Sequence, residues 1–521
     1  MSAGDPEALA RAVAAEFGMP FVSLADRLIP VDVHTALPRA YGEEHLVMPY
    51  GRVDGVLQVA VADPIAVDVI DNLGHVAGCA VQTALATADD IRAAIARAHG
   101  RAADNLDQLM ADAASAAGPV AAGTEEGQES DRDAPIIRLV HSLVAEAVRR
   151  RASDIHLEPL ERRFRVRYRV DGVLLEVDAP PKRLQLAIIS RLKIMANISI
   201  AEKRVPQDGR IQVRVDGRAL DLRVSSLPTA HGESIVMRIL DPEGLKPGLP
   251  ELGFLPDDQR EFERLIALPD GMLLITGPTG SGKTTSLYSS LHHLNQSDRK
   301  IITVEEPVEY QLAGINQVPV NAGTGLTFAA ALRALLRQAP NIVMVGEIRD
   351  RETAEIALNA SLTGHMVFST LHTNDAPSAV TRLIDLGARP FLVAAALRAT
   401  MAQRLVRRVC PSCRRAYTPS ARELHALGLT PARVAGAEFA RGAGCAACSG
   451  TGYRGRMGIF EIFLVHDGIR RMIYDNVTAA RLREQARRDG MRTMREDGIR
   501  KVLAGLTTIE EVVAVTVGDT S

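Results

Sequence analysis

The hydrophobic and polar positions of the first 245 residues predict two small domains that each mix helices with strands. Residues 1–100 combine EALARAVAAEF and ADDIRAAIARAH, which have helical spacing, with the strand-like segment VDGVLQVAVADP. Residues 134–245 begin with the helical pattern PIIRLVHSLVAEAVRRR and continue as alternating strands such as RFRVRYRVDGVLLEV, where Asp171-Gly172 predicts a hairpin turn. Residues 101–133 are rich in Ala, Gly, Asp and Glu with weak periodicity, so we expect a linker there.

The pattern changes in the second half of the chain, where the apolar runs become continuous. The segments GMLLIT, KIITV, NIVMVGE and HMVFST alternate with helical stretches. Such runs are typical of parallel strands that helices cover on both faces. We therefore expect an α/β core over residues 250–402, a cysteine-bearing module over 403–458 and a helical C-terminal region over 459–521.

Composition and charge narrow the class of protein. The 521 residues carry 61 Lys and Arg against 63 Asp and Glu, a formal net charge of −2, with only 4% aromatic residues and no Trp. A near-neutral chain with few aromatic side chains is a poor candidate for a nucleic-acid binder. No apolar run approaches the roughly 18 residues of a membrane span, and no signal-like start is present, so we expect a cytoplasmic protein whose membrane association is indirect.

The strongest local motif is a phosphate-binding loop that follows the strand GMLLIT and opens a helix. Its glycines let the backbone N–H groups face phosphates, and the helix N-terminus favours their negative charge. We expect Lys283 to contact the β- and γ-phosphates of ATP and Thr284 to hold Mg²⁺. The predicted nucleotide-binding residues are Gly277, Pro278, Thr279, Gly280, Ser281, Gly282, Lys283, Thr284 and Thr285.

Acidic residues follow two of the predicted parallel strands. Glu347 ends NIVMVGE, and Glu305, Glu306 and Glu309 follow KIITV. Open α/β sheets bind ligands at the carboxyl ends of their strands, and a carboxylate there can orient or deprotonate an attacking water. Together with the phosphate loop, these residues predict hydrolysis.

Four of the five cysteines form two C-x₂-C pairs, which indicate a closed, structural Zn²⁺ site with four thiolates. The gap between the pairs is long, but an extra helix in it costs little loop-closure entropy. The predicted zinc ligands are Cys410, Cys413, Cys445 and Cys448. The fifth cysteine, Cys79, is interpreted as a small buried apolar residue.

These motifs together resemble the general secretory pathway protein E family, the type II secretion ATPases, which are related to the type IV pilus assembly ATPases. The matching segments include ASDIHLEP, AEKRVPQDGR, GPTGSGKTT, ITVEEPVEY, NIVMVGEIRD, TGHMVFSTLHTNDA, CPSC, CAACSGTGYRGR and GMRTMREDGIRKVLAGLTTIEEV. They run almost continuously from Ala134 to about Val512. Residues 6–100 resemble the family's N-terminal domain more loosely.

The resemblance implies a RecA-like core, a PAS-like second domain called N2, and a homo-hexamer at the cytoplasmic face of the inner membrane. It further implies pseudopilus assembly, protein export, and docking on the cytoplasmic domains of L-type and F-type components of the secretion system. It places Glu347 at the Walker B carboxylate and Glu305, Glu306 and Glu309 in an acidic box. His365 and His372 would lie in a histidine box near the nucleotide, and Arg204 and Arg210 in the N2 region that supplies arginines to the phosphates.

The chain departs from the family's pattern at two places. Glu305-Glu306 stands where Glu-Asp is usual, and Gln338-Ala-Pro-Asn341 stands where Gln-Asp-Pro-Asp is usual. We interpret these departures from the family pattern as the loss of two carboxylates near the nucleotide. Three alternatives to a secretion motor remain: a type IV pilus extension ATPase, a nucleic-acid translocase on the same core, and a scaffold that does not hydrolyse ATP.

Overall fold

The computed structural model describes residues 6–24, 29, 33, 36–37, 39–53, 56–99, 134–240, 248–430, 434 and 436–517. The predicted linker, residues 101–133, lies outside the described residues.

The first region is a small α/β unit. Its sheet has the order β1-β2-β3, in which β1 and β2 are antiparallel and β2 and β3 are parallel. The buried apolar residues of this unit divide between two clusters. Helices therefore pack on both sides of the sheet. The elements are α1 (Pro6–Glu16), α2 (Arg39–His45), β1 (Val47–Val53), β2 (Val56–Val61), α3 (Val67–Ala77), β3 (Val81–Leu85) and α4 (Ala88–His99).

The second region is a six-stranded antiparallel sheet with two helices, and we keep the name N2 for it. The strand order is β6-β5-β4-β9-β8-β7. Alternation along the strands buries one apolar face, which includes Tyr168, against helix residues such as Leu143 and Leu192, while the opposite face stays polar. The elements are α5 (Ala134–Arg149), β4 (Ala152–Pro159), β5 (Phe164–Val170), β6 (Val173–Val177), α6 (Gln185–Met195), β7 (Gln207–Val215), β8 (Arg218–Thr229) and β9 (Gly232–Leu240).

The third region is built on a seven-stranded sheet of order β12-β11-β13-β14-β10-β15-β18. The first six strands are parallel, and only β18 runs antiparallel to its neighbour β15. Every residue of the central strand β10 is buried, as the continuous apolar run predicted. The elements to β14 are α7 (Pro256–Ile266), β10 (Gly271–Thr276), α8 (Lys283–Leu294), β11 (Ile301–Glu305), β12 (Asn316–Pro319), α9 (Phe328–Leu335), β13 (Ile342–Val345), α10 (Arg351–Leu362) and β14 (Met366–Leu371).

The cysteine-bearing region emerges from this sheet and returns to it. Strand β15 continues past residue 402, and β18 spans residue 458, so both predicted limits of the module fall inside strands of the core sheet. The remaining elements are α11 (Ser378–Asp385), α12 (Pro390–Ala396), β15 (Leu397–Val409), β16 (Arg414–Ala416), α13 (Ala421–Ala426), β17 (Ala440–Gly442), β18 (Tyr453–Leu464), α14 (Asp467–Tyr474), α15 (Ala479–Arg488), α16 (Met494–Leu503) and α17 (Ile509–Val515). Among the described residues, no helix is both long and apolar enough to cross a bilayer.

Candidate nucleotide-binding site and metal centre

The phosphate loop connects the carboxyl end of β10 to the first turn of α8. Gly277, Gly280 and Gly282 have φ values of 149°, 80° and 89°, a region that residues with a Cβ rarely adopt. A Cβ on Gly277 would lie 2.6 Å from the carbonyl oxygen of Gln403. The Nζ of Lys283 donates to the carbonyls of Gly277 and Pro278 at 2.8 and 3.0 Å, so its ammonium sits inside the loop.

Strand β15 supports this loop through Gln403, a buried residue that the motif does not include. Its Nε2 donates to the carbonyl of Ser281 at 2.9 Å, and its Oε1 accepts the hydroxyl of Ser286 at 2.7 Å. One amide therefore fixes both the loop and the first turn of α8. Nothing in the local sequence around Gln403 signals this role, because its partners are more than a hundred residues away.

Glu347 lies at the carboxyl end of β13, beside the loop, as predicted. It accepts a hydrogen bond from Arg349, and its Oε2 lies 3.3 Å from Nε2 of His372, which follows β14. Partial burial acts to raise the pKa of Glu347, but the bonds from Arg349 and His372 outweigh it and hold that pKa below its usual value. Burial lowers the pKa of Lys283, and the charge of Glu347 opposes that change.

The three glutamates of the acidic box have different environments. Glu305 is buried and accepts hydrogen bonds from the hydroxyls of Tyr288 and Thr303 and from the amide of Gln317. With its lone pairs occupied in this way, Glu305 has a structural role at the end of β11. Glu306 and Glu309 are more exposed; Glu306 lies 3.3 Å from Arg349.

Glu309 makes the first of the contacts between the core and N2. Its Oε2 lies 2.9 Å from a guanidinium nitrogen of Arg223 on β8, and Arg223 also donates to the carbonyl of Val308 at 3.1 Å. Arg223 stands directly opposite Arg238 on β9. Arg238 in turn lines the cavity that contains the phosphate loop.

The two arginines predicted from the sequence, Arg204 and Arg210, do not line the cavity that contains the phosphate loop. The guanidinium of Arg204 pairs with Glu202 at 2.8 Å, and its side chain is 86% exposed. Arg210 lines a neighbouring cavity together with Arg223 and Pro307.

Three other arginines line the phosphate cavity of the same chain: Arg238 from N2 and, from the core, Arg349 and Arg456. Arg223 and Arg238 belong to the polar face of the N2 sheet, and only the docking of that face distinguishes them from its other arginines.

The two histidines of the histidine box lie at opposite ends of β14. His372 follows its carboxyl end and lines the phosphate cavity. His365 precedes its amino end, where Nδ1 lies 2.9 Å from the carbonyl of Ala360. Since β10 and β14 are parallel, His365 is at the edge of the sheet away from the phosphate loop of the same chain.

The departures near Gln338 also lie at that far edge, which corrects the sequence-based interpretation. Asn341 precedes the amino end of β13, and its Oδ1 accepts the backbone N–H of Lys300 at 2.8 Å. Ala339 has a left-handed φ of 49° in the preceding turn. The missing carboxylates therefore remove no charge beside the phosphate loop of this chain.

A single cavity of about 620 Å³ brings the phosphate loop, the acidic residues and the arginines together. This volume lies within the range of small-molecule sites. Thr284 is exposed at the start of α8, and its hydroxyl would be the protein ligand for a magnesium ion in a loop of this type. The lining includes Arg238, Thr279, Gly280, Ser281, Gly282, Lys283, Thr284, Thr285, Glu305, Glu306, Glu309, Glu347, Arg349, His372 and Arg456.

The four paired cysteines converge at one point beside the sheet. Their sulfur atoms all lie within 4.8 Å of one another. The Sγ–Sγ distances are 3.9 Å for Cys410–Cys445 and Cys413–Cys448, and 3.7 Å for Cys445–Cys448. Thiolates 2.3 Å from a tetrahedral zinc would be about 3.8 Å apart, so this donor set fits Zn²⁺. Helix α13 lies in the gap between the pairs.

Comparison with known sequences adds the family. The family described as T2SSE, type II/IV secretion system protein, matches residues 129–514, and an MshEN domain matches residues 17–105. The type IV pilus assembly ATPase PilB of Myxococcus xanthus is 44% identical over 97% of this chain and 90% of its own length. Type II secretion system protein E of Pseudomonas aeruginosa is 52% identical over 75% of this chain and 78% of its own. The Pectobacterium carotovorum protein of that name is 42% identical over 93% and 98% of the two chains.

Solved structures show the same fold. The Legionella pneumophila ATPase DotB superposes with a TM-score of 0.54 at 23% identity, and the alignment covers 73% of this chain and 95% of that protein. The RecA-like core predicted from the sequence is thereby confirmed. The chain belongs to the type II/IV secretion system protein family.

Proposed function

We propose that the protein is an ATP-hydrolysing motor that powers pseudopilus assembly and protein export by a type II secretion system. One observation carries the enzymatic part: Lys283 of the phosphate loop and the ionised Glu347 face the same cavity. A binding-only scaffold would need the loop but not the second residue. The pairing supports hydrolysis, and the relatives named type II secretion system protein E support the process it serves.

The roles of the residues follow from their positions. Lys283 and the loop amides would hold the β- and γ-phosphates, and Thr284 would hold a magnesium ion, which would supply positive charge against the phosphates. Glu347 would accept the proton of the attacking water, because its depressed pKa keeps it ionised. His372 and Arg349 orient its carboxylate, and Arg238 and Arg456 are cations available to the negative charge that develops in the transition state.

The tetracysteine cluster would hold one zinc ion with a structural role. Four protein ligands leave no open coordination position, so this ion supplies no Lewis acid to the reaction. The ion would stabilise the long segment that connects β15 to β18, two neighbouring strands of the core sheet.

A type IV pilus extension ATPase is the second candidate, because the PilB relative matches almost the whole chain. Both candidates share the same chemistry and differ in the fibre they assemble. We favour secretion since several relatives with that name match at 42–52% identity. Deleting the gene in its own bacterium should stop export of secreted enzymes while pilus-dependent motility persists; the reverse phenotype would assign the protein to pilus assembly.

A ring of subunits, taken as a homo-hexamer, would complete the site. Arg204 is exposed and paired with Glu202, and His365 contacts Ala360; neither lines the phosphate cavity of its own chain. They would therefore serve a nucleotide across a subunit boundary. We place the ring in the cytoplasm against the inner membrane, docked on the L-type and F-type components. Nucleic acid is not a proposed partner, given the net charge of −2.

Two substitutions test the enzymatic proposal. Lys283→Ala should weaken ATP binding about tenfold or more, because the phosphates lose a charged hydrogen-bond donor. Glu347→Gln should keep ATP bound but slow turnover by about 100-fold or more, because an amide cannot accept the proton of water. The matched control is Glu355→Gln on α10, which pairs with Arg351, does not line the phosphate cavity and should keep wild-type turnover. Wild-type turnover by Glu347→Gln would remove Glu347 as the base and leave Glu306 as the next candidate.

A further inference from the structure

The first residues of β18 contain an irregularity between the cysteine cluster and the phosphate cavity. The ladder pairs Arg407 with Arg456 and Val409 with Tyr453, so one residue of β15 lies opposite two residues of β18. Gly455 occupies this bulge with a left-handed φ of 78°. A bulge leaves the backbone of its extra residue outside the ladder and changes the direction of the neighbouring side chain.

The N–H of Gly455 has a partner from a distant part of the chain. It donates to Oδ2 of Asp171 in N2 at a distance of 2.9 Å. Asp171 and Gly172 form the two-residue turn between β5 and β6, with φ values of 49° and 90°. Both values belong to the tight hairpin turn that the sequence predicted, so the turn holds the carboxylate in a defined place.

The residue after Gly455 is Arg456, which lines the phosphate cavity with Lys283 and Glu347. The bond from Asp171 therefore acts on the backbone immediately before a cationic side chain of the candidate active site. Because a hydrogen-bonded bulge sets the direction of the next residue, losing the bond should loosen the placement of Arg456.

Several other contacts of this strand end join residues of the core. The guanidinium of Arg407 lies 4.1 Å from the ring centroid of Tyr453 and pairs with Glu511 at 2.6 Å. The hydroxyl of Tyr453 lies 2.9 Å from that of Thr508. These contacts hold Tyr453, just before the bulge, from within the core. Asp171 contacts the bulge directly, and its charge also attracts the guanidinium of Arg407.

We propose that Asp171 is a positioning residue for ATP hydrolysis: its carboxylate holds the Gly455 bulge and so directs Arg456 toward the phosphates. The inference rests on the proposed ATPase function and adds to it a dependence on N2. Since Asp171 belongs to N2 and Arg456 to the core, Arg456 is placed correctly only when N2 is docked as in this structure. N2 would thus control the site through a backbone contact, besides the arginines it contributes.

The chain offers well-matched variants for a test. Asp171→Gly removes the acceptor without strain, because glycine adopts a φ of 49° freely. Asp171→Asn keeps an acceptor oxygen at the same place. The control is Asp216→Gly in the other Asp-Gly turn of N2, between β7 and β8, which has φ values of 50° and 82° and is exposed. Asp171→Ala is the second acceptor-free variant should the glycine variant melt at a lower temperature than the control.

Steady-state ATP hydrolysis by the full-length variants gives the first readout. Asp171→Gly should lower kcat about tenfold while KM for ATP changes much less, and Asp171→Asn should restore most of the loss. Asp216→Gly should match the wild type. Wild-type kcat in both acceptor-free variants would overturn the proposal. Absence of turnover in the wild-type protein would instead refute the ATPase function itself, so the two failures are distinguishable.

Two further measurements separate positioning from a general structural effect. Hydrogen exchange at the amide of Gly455 should become about tenfold faster or more in Asp171→Gly and stay unchanged in Asp216→Gly. In an Arg456→Ala background, Asp171→Gly should cause no additional loss of kcat, because the residue it positions is gone. Unchanged exchange at Gly455, or losses that multiply in the double variant, would show that Asp171 does not act through Arg456.

Discussion

At the scale of single residues, the charge state of the acidic site depends on neighbours rather than on burial. Burial alone would favour a protonated Glu347, but Arg349 and His372 bond to its two oxygens and lower its pKa. Arg349 also lies 3.3 Å from Glu306, so one guanidinium serves two carboxylates. Removing Arg349 leaves burial as the largest influence on Glu347.

This balance predicts a change in pH dependence. In Arg349→Ala, the pKa of Glu347 should rise, because the opposing hydrogen bond and charge are lost while burial persists. Glu347 would then lose its negative charge at a higher pH than in the wild type. The acid limb of the kcat/KM profile for ATP should therefore shift toward higher pH. An acid limb that keeps its position in Arg349→Ala would mean that another group controls it.

At the scale of elements, the antiparallel pair β15–β18 links the metal centre to the nucleotide site. Gln403 on β15 supports the phosphate loop, and Arg456 on β18 lines the cavity. Cys410 follows the last residue of β15, and its N–H donates to the carbonyl of Gly452, just before β18 begins. A zinc ion bound by the four cysteines would cross-link the end of β15 to the start of β18.

Measuring zinc content tests whether the four cysteines hold this ion. The purified protein should carry about one zinc ion per chain, and Cys445→Ser should lose most of it because a hydroxyl is a poor zinc ligand. The module should then unfold at a lower temperature, while the phosphate loop, built on β10 and α8, should still bind nucleotide.

The control for this experiment is Cys79→Ser in the N-terminal region. Cys79 is half-buried rather than buried as interpreted from the sequence, because it packs at the margin of an apolar cluster of the N-terminal region. It is not one of the four clustered cysteines, so its substitution should leave zinc content unchanged. Full zinc occupancy in a Cys410→Ser/Cys445→Ser double variant would disprove the assignment of these ligands.

At the scale of the whole molecule, N2 and the core share one site. The pair Arg223–Glu309 and the bond Gly455–Asp171 join them, and the phosphate cavity receives Arg238 from N2. A surface ion pair alone contributes little to docking, typically less than about 1 kcal/mol. Contacts with other subunits are therefore expected to set how firmly N2 is docked.

Turnover should accordingly depend on protein concentration. Specific activity per chain should rise as rings form, because each ring would hold N2 against a core, while nucleotide binding to the phosphate loop should change little. Turnover and sedimentation measured on the same dilution series check this. Wild-type specific activity in a sample that sediments as monomer would refute the need for a ring.

The sequence alone determined the parts of this protein that depend on contiguous residues. The phosphate loop, the alternation that forms the N2 sheet, the Asp171-Gly172 turn and the cysteine pairs are local patterns, and local backbone geometry enforces them. The parallel direction of the core strands also followed, and with it the place of Glu347 at the carboxyl edge of the sheet.

Only the tertiary structure decided which arginines line the phosphate cavity and what supports the phosphate loop. Arg223, Arg238 and Arg204 look alike in sequence, and the docking of one polar sheet face on the core separates them. It likewise brought Gln403 under the loop, Asp171 to the bulge at Gly455, and Asn341 to the far edge of the sheet. These contacts join residues that are far apart in the chain, and spacing along the chain carries no signal for such pairs.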